Sequence, residues 1–131
     1  MVLKKQKPIK KRLEKELRER CYQIGIPCLQ EPRVCWTQEQ FRWYTGANKT
    51  NSVQRLGCAH LRSNTMLIDL KVHQFHKYTF TEYRDTLIHE LVHFRFQNLK
   101  HGKTFNKTIE RIKKGQKFCT RPIVDLRFPF L

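Results

Sequence analysis

Two histidines and a glutamate lie together in the stretch His89-Glu90-Leu91-Val92-His93. On a helix, residues four apart lie on the same face, one turn apart, so the two imidazoles can bind one zinc ion. A third histidine, His101, follows eight residues after His93 and precedes a glycine. Catalytic zinc takes three protein ligands and keeps one position for water. The sequence therefore predicts His89, His93 and His101 as zinc ligands.

Glu90 is the predicted catalytic residue of this site. Zinc lowers the pKa of bound water toward ~7, so that the water can attack a peptide carbonyl, which the metal polarises. Glu90 would act as general base, accepting the proton of the water and passing it to the leaving amine. The alternative is a pair of histidines satisfied in the core or on the surface, because a three-letter motif also arises by chance.

A capped helix would position these residues. Thr79 and Glu82 have the spacing of a capping box, which predicts a helix that begins near Thr81. Between Leu87 and Phe96 the helix is nearly all apolar apart from the candidate site residues and one arginine. Such a composition is typical of a helix that runs through a small core.

Further elements are predicted around this helix. An apolar stripe (Leu13, Leu17, Cys21 and Ile24) predicts a helix over residues 9–24. Alternating residues predict two antiparallel strands over residues 53–61 and 65–72, with Gly57 as a bulge or a point of close approach. Thr104 is expected to cap a last helix whose inward residues are Phe105, Ile109 and Ile112. The predicted fold is α+β: a small domain with the helix of the candidate site packed on a short antiparallel sheet and flanking helices.

Two further pairs of residues, one aromatic and one of histidines, could belong either to a functional site or to the ordinary structure. Trp43 and Tyr44, next to a turn-rich run, are either core residues or a surface that stacks on an unpaired base. His73 and His76 would follow the second strand and are expected in a loop rather than in a site.

The composition is strongly basic. Lys and Arg number 27 against 11 Asp and Glu, for a net charge of +16. Nucleic acid is the simplest polyanionic partner for such a charge, and a charged surface that serves solubility is the alternative. The predicted phosphate contacts are Lys4, Lys5, Lys7, Lys10, Lys11 and Arg12, in a segment that is either a flexible arm or the start of a helix, and Arg95, Lys100, Lys103, Lys107, Arg111, Lys113 and Lys114.

The length of 131 residues predicts one domain, here residues 13–131 after a basic N-terminal arm at residues 1–12. The apolar tail at residues 122–131 is expected to pack back on the domain or to bind a partner. The sequence has neither an apolar run of membrane-spanning length nor the pattern of a signal peptide. We therefore expect a monomeric cytoplasmic protein without membrane contact, associated with the nucleoid if the source is prokaryotic.

The stretch from Thr86 to His93, followed by His101-Gly102-Lys103-Thr104-Phe105, resembles the SprT-like zincin domain. Arg55-Leu56-Gly57-Cys58 before a strand at residues 65–71 is similar to the hairpin upstream in that family, so the resemblance covers roughly residues 40–115. By likeness, His101 is the third ligand and Phe105 anchors the helix that follows.

The family includes the Spartan and Wss1-type proteases, which degrade proteins crosslinked to DNA, and it is related to the YgjP-like zincins. The resemblance therefore implies a zinc metallopeptidase whose substrate is a protein bound or crosslinked to DNA, with a role in DNA repair. The chain departs from some members because it lacks a four-cysteine zinc ribbon. The alternative function is a basic nucleic-acid-binding module whose zinc site is structural or vestigial and does not cleave protein.

Overall fold

Helix α4 stands at the centre of the fold, and a computed structural model describes residues 6–46 and 56–118 around it. The elements in chain order are α1 (Gln6–Ile24), a 3-10 turn (Cys28–Gln30), β1 (Arg33–Cys35), α2 (Gln38–Thr45), β2 (Gly57–His60), β3 (Thr65–Ile68), α3 (Leu70–Phe75), α4 (Phe80–Arg95) and α5 (Lys103–Lys113). The predictions for Lys4, Lys5 and the tail at residues 122–131 lie outside these ranges.

The three strands form a mixed sheet in the order β1-β3-β2. Strands β2 and β3 are the predicted antiparallel pair, with Gly57 opposite Ile68. Strand β1, which the sequence analysis did not predict, pairs with β3 in parallel, with Arg33 opposite Thr65. The α+β class is confirmed, and the sheet differs from the expected one by this additional parallel strand.

Strand β3 is shorter than the prediction of a half-buried strand over residues 65–72. All four of its residues are buried, because it is the central strand and both of its faces are covered. The chain leaves the sheet at Asp69, whose side chain accepts a hydrogen bond from the backbone N–H of Val72 at 3.0 Å. This bond caps helix α3, so the apolar residues that follow are helical and do not extend the strand.

The sheet carries helices on both faces. The predicted stripe of α1 is buried against α4 together with Met66 and Ile68 of β3. On the other face, Phe41 of α2 packs against Cys35 and Leu67. Side chains alternate between the faces of a strand, so α2 and α4 lie on opposite sides of the sheet.

Helix α4 begins with the predicted capping box. The backbone N–H of Thr79 donates to Oε1 of Glu82 at 2.6 Å, and the Thr79 hydroxyl donates to the same oxygen at 2.8 Å. These bonds lower the pKa of the Glu82 carboxyl. The sequence signal for the start of α4 is confirmed.

Helix α5 begins at Lys103, two residues earlier than a Thr104 cap would allow, and that prediction is wrong. Its N-cap is Gly102, at φ 152° and ψ −162°. Only glycine adopts this region without strain, which explains its place directly after His101. Phe105 and Ile112 are buried, as predicted, and Ile109 is half-buried.

The start of helix α1 at Gln6 means that residues 6–12 are helical, one of the two alternatives for the basic segment. The guanidinium of Arg12 lies 3.7 Å from the ring centroid of Phe80, in the first turn of α4. Lys10 lies over the ring of Trp36 at 5.6 Å. No helix in the described ranges is long and apolar enough to cross a membrane.

Candidate metal centre

The three predicted ligands converge on one point. Helix α4 carries His89 and His93 one turn apart, and His101 comes from the loop that leads into α5. Ligand atoms of the three imidazoles all lie within 4.8 Å of one another, and Nε2 of His93 and Nε2 of His101 are 3.0 Å apart. With Zn–N bonds of about 2.0–2.1 Å, two ligand nitrogens of a tetrahedral site lie roughly 3.4 Å apart. The three side chains therefore fit a zinc ion.

Phe105 forms the floor of this centre. Its ring centroid lies 4.8 Å from that of His89, 4.9 Å from that of His93 and 4.8 Å from that of His101. The ring is 1% exposed, so it is held by the core while it contacts all three imidazoles. The sequence analysis assigned Phe105 only to anchoring α5. The structure adds that Phe105 orients the ligands.

The ligands on α4 are held in the form that binds a metal. Burial, and then the neighbouring His89 and His101, lower the pKa of His93 to about 4. Burial, and then His101, also lower the pKa of His89. Both imidazoles are therefore neutral at pH 7, and no proton has to be displaced from them when a metal binds.

Glu90 is buried on the side of α4 that faces strand β2, with 6% of its surface exposed. A Cβ added at Gly57 would lie 3.0 Å from Oε2 of Glu90, 2.7 Å from Cγ2 of Thr86 and 2.9 Å from the carbonyl oxygen of Leu67. Gly57 pairs in regular register with Ile68. The prediction of a close approach at Gly57 is thus confirmed, and the bulge alternative is wrong.

His73 is not the loop residue that the sequence suggested. It lies in α3, is fully buried and stacks on Tyr83 with ring centroids 4.6 Å apart. Its Nδ1 donates to the carbonyl of Asp69 at 2.7 Å, and its Nε2 lies 2.7 Å from the hydroxyl of Thr86. Because a carbonyl only accepts, Nδ1 carries the hydrogen, and in the neutral ring Nε2 is an acceptor. The single hydroxyl hydrogen of Thr86 is shared between Nε2 of His73 at 2.7 Å and the carbonyl oxygen of Glu82 at 3.1 Å.

The bonds of His73 therefore support the residue that packs beside Glu90. His76, by contrast, is exposed and stacks on Tyr78 with ring centroids 5.2 Å apart. Neither histidine belongs to the group of possible metal ligands found in residues 6–46 and 56–118.

Some of the predicted phosphate contacts are exposed, and others bond to groups within the protein. Arg95 is buried, and its Nε donates to the carbonyl of Ile24 at 2.8 Å. It joins α4 to α1 and cannot reach a phosphate, so that prediction is wrong. Lys113 is half-buried and pairs with Asp85 and Glu110, each at 3.4 Å.

The other basic residues of this region form an exposed surface beside His101, which we call the α5 basic surface: Lys100, Lys103, Lys107, Arg111 and Lys114. On α1, Lys7, Lys11 and Arg12 are exposed and Lys10 is half-buried.

Comparison with protein families found one match. A model described as the SprT-like family matches residues 29–124, which include the sheet, α4, all three histidines and α5. The match does not distinguish Spartan, Wss1-type and YgjP-like members. Comparisons with curated proteins and with solved structures found no significant match.

Proposed function

The chain belongs to the SprT-like family of zincin-type metallopeptidase domains, and we propose that it is a zinc-dependent endopeptidase that cleaves proteins bound or crosslinked to DNA. One observation carries the proposal: three imidazoles converge on one point, and the residue that follows the first of them, Glu90, is a buried carboxylate outside that group. A structural zinc site is normally closed by four protein ligands, whereas a catalytic site has three and an open position.

The residues of the chain would act in the following way. When bound, zinc supplies a Lewis acid for the peptide carbonyl and lowers the pKa of a water toward about 7. His89, His93 and His101 hold the ion, and Phe105 fixes the directions of their rings. Glu90 takes a proton from the attacking water and gives it to the leaving amine.

Strand β2 would align the substrate. It lies at one end of the strand order, and its first residue, Gly57, packs beside the Glu90 carboxylate. An extended peptide can add to such a strand by backbone hydrogen bonds, which place a carbonyl without reading its side chains. This mode suits a peptidase whose protein substrates differ in sequence.

The charge of the surface supports nucleic acid as the second partner. The α5 basic surface begins at Lys100, the residue before the third ligand. A net charge of +16 favours association with a polyanion, with a strong dependence on salt. A protein held on DNA would thus be brought to the metal centre by the nucleic acid beside it.

A DNA–protein crosslink tests this function directly. We expect cleavage of the crosslinked protein, loss of cleavage with a chelator, and recovery when zinc is added back. The same protein free of DNA, at the same concentration, serves as control and should be cleaved more slowly. Equal cleavage of both would remove the DNA part of the proposal. Zinc binding and DNA binding without any cleavage would favour the alternative, a binding module with a structural zinc.

A further inference from the structure

An exposed pair of aromatic rings lies on the side of the sheet away from the metal centre. Trp43 is 78% exposed and Tyr44 is 41% exposed. Their ring centroids are 4.8 Å apart and the rings are nearly perpendicular, at 87°. These exposures exclude the alternative that the two rings belong to the core. Because tryptophan is highly buried on average in folded proteins, an exposed tryptophan needs another explanation.

The helix that carries the pair is capped at both ends. Phe41 occupies the buried position of α2, so Trp43, two residues on, points away from the sheet. The Thr37 hydroxyl accepts from the backbone N–H of Gln40 at 3.1 Å, which caps the start of α2, and Gly46 ends it at φ 74°. The caps fix the backbone that carries both rings before a ligand binds, which lowers the entropy cost of binding.

A cation completes this surface. The guanidinium of Arg33, in strand β1, lies 4.0 Å from the ring centroid of Tyr44. Trp43, Tyr44 and Arg33 thus offer three flat groups, each of which can stack on a nucleobase. We call these three residues the stacking surface.

The charge around the stacking surface is mixed on the N-terminal side and basic on the C-terminal side: Glu39 lies one helical turn before Trp43 and Glu31 lies two residues before Arg33. From Gln40 to Ile68 there is no Asp or Glu, and the Lys and Arg residues in that stretch are Arg42, Lys49, Arg55 and Arg62. A basic stretch next to exposed aromatic rings favours a ligand with both phosphates and free π-faces. Single-stranded nucleic acid has both, whereas the bases of a duplex are stacked inside it.

We infer that Trp43, Tyr44 and Arg33 bind unpaired bases of single-stranded nucleic acid. The inference rests on the nucleic-acid part of the proposed function and specifies the form of the partner. Because α2 and α4 lie on opposite faces of the sheet, a strand bound there leaves the metal centre free for protein. The enzyme would then act where a nucleic acid is partly unpaired.

Intrinsic fluorescence and anisotropy test the inference together. The chain has two tryptophans, and Trp36 is only 6% exposed, so quenching by an oligonucleotide reports on Trp43. We expect oligothymidine to quench the fluorescence of the parent. Trp43→Ala should bind labelled oligothymidine about tenfold more weakly and a duplex equally well. Trp43→Phe should keep most of the affinity and lose the quenching.

Tyr22 provides the matched control, because it is 77% exposed on α1 and also lies beside a cation, Lys117, at 5.5 Å. Tyr22→Ala should bind oligothymidine as the parent does. The inference is overturned if the parent shows no quenching, if Trp43→Ala keeps its affinity for oligothymidine, or if Tyr22→Ala weakens binding equally.

Chelator-sensitive cleavage of a DNA-free protein substrate, followed in the same preparations, separates the two proposals. Trp43→Ala should cleave this substrate as the parent does. If the parent cleaves this substrate but Trp43→Ala binds oligothymidine as the parent does, the role of the stacking surface is overturned and the proposed peptidase function stands.

Discussion

A Cβ on Gly57 would lie 3.0 Å from Oε2 of Glu90, so the space for the buried carboxylate exists only because strand β2 begins with a glycine. The strand that would align a substrate and the carboxylate that would move its proton are therefore fitted to each other.

Gly57→Ala is expected to reduce cleavage sharply. The new methyl meets the backbone oxygen of Leu67 at 2.9 Å and Cγ2 of Thr86 at 2.7 Å, so it must displace Thr86 or Glu90. We expect a loss of about 1–3 kcal/mol in the free energy of unfolding, as for other overpacked sites. The turnover number should fall while the zinc content stays the same.

Gly115→Ala is the control for that loss of stability. Gly115 has φ 82°, with nothing within 4 Å of an added Cβ, so alanine is strained there without touching the site. It should lower the free energy of unfolding by about 1 kcal/mol and leave turnover unchanged. A Gly57→Ala protein with full turnover would contradict the role given to this contact.

Phe105→Leu is expected to weaken zinc binding. The smaller side chain leaves the three imidazole rings without their common floor, and residues that orient ligands typically contribute tenfold or more to metal affinity. We expect about a tenfold rise in the dissociation constant for zinc, measured by competition with a chelator. Ile112→Val, at a residue 1% exposed in the same helix, should lower stability by about 0.5–1.5 kcal/mol without changing zinc affinity. Equal zinc affinity in the parent and in Phe105→Leu would show that the Phe105 ring does not orient the three imidazoles.

His73 predicts a specific dependence of stability on pH. Burial is the largest effect and lowers the pKa of His73 below the ordinary 6.5, and the charge of His76 lowers it further. The hydrogen bond to the Asp69 carbonyl and the charges of Asp69 and Glu82 raise the pKa, but they are smaller. Below pH 6.5 the unfolded chain binds a proton at this residue that the folded chain does not. The contribution of His73 is thus present above pH 6.5 and declines as the pH falls toward its folded value.

His73→Gln tests this dependence with urea unfolding in the presence of a chelator. The variant should be less stable by about 1–3 kcal/mol at pH 7.5, because the Thr86 hydroxyl and the Asp69 carbonyl each lose their hydrogen bond to the buried imidazole. The difference between parent and variant should shrink between pH 6.5 and pH 5. His76→Gln, at an exposed histidine three residues away, should differ little from the parent at any of these pH values. A difference that stays constant with pH would show that His73 does not titrate in this way.

The α5 basic surface predicts a change in the salt dependence of DNA binding. A triple change of Lys103, Lys107 and Lys114 to Gln removes three exposed charges, so the slope of log K against log salt should decrease by about 2–3. Arg95→Gln, at the buried arginine, should lower stability and leave the slope as it is. An unchanged slope in the triple variant, measured by anisotropy on duplex DNA, would show that the phosphates lie elsewhere.

Local signals in the sequence predicted the elements that bring the three histidines together. The capping box at Thr79, the spacing of His89 and His93 and the apolar stripe of α1 depend on residues within one or two helical turns. These interactions are decided by the chain segment itself. The convergence of His101 followed from the chemistry of zinc and from the glycine after it.

Apart from the cap of α5 and the end of β3, which are local, the errors concern contacts between distant segments. Strand β1 pairs in parallel with β3, a register that no local pattern encodes. The burial of Arg95 depends on the Ile24 carbonyl of α1, and that of His73 on Thr86 and Tyr83 of α4. Trp43 is exposed because Phe41 occupies the buried position of the same helix. Tertiary packing decides the pairing of β1 and the burial or exposure of these three side chains, so local sequence patterns could not predict them.

Replacement of Glu90 by glutamine is the most direct test of the central claim. Glutamine has nearly the same shape, fits the space beside Gly57 and cannot accept the proton of a water. We expect Glu90→Gln to bind about one zinc per chain, as the parent should, and to cleave a DNA-crosslinked protein about 10²–10⁴-fold more slowly. A Glu90→Gln protein that retains zinc and cleaves at the rate of the parent would contradict the account.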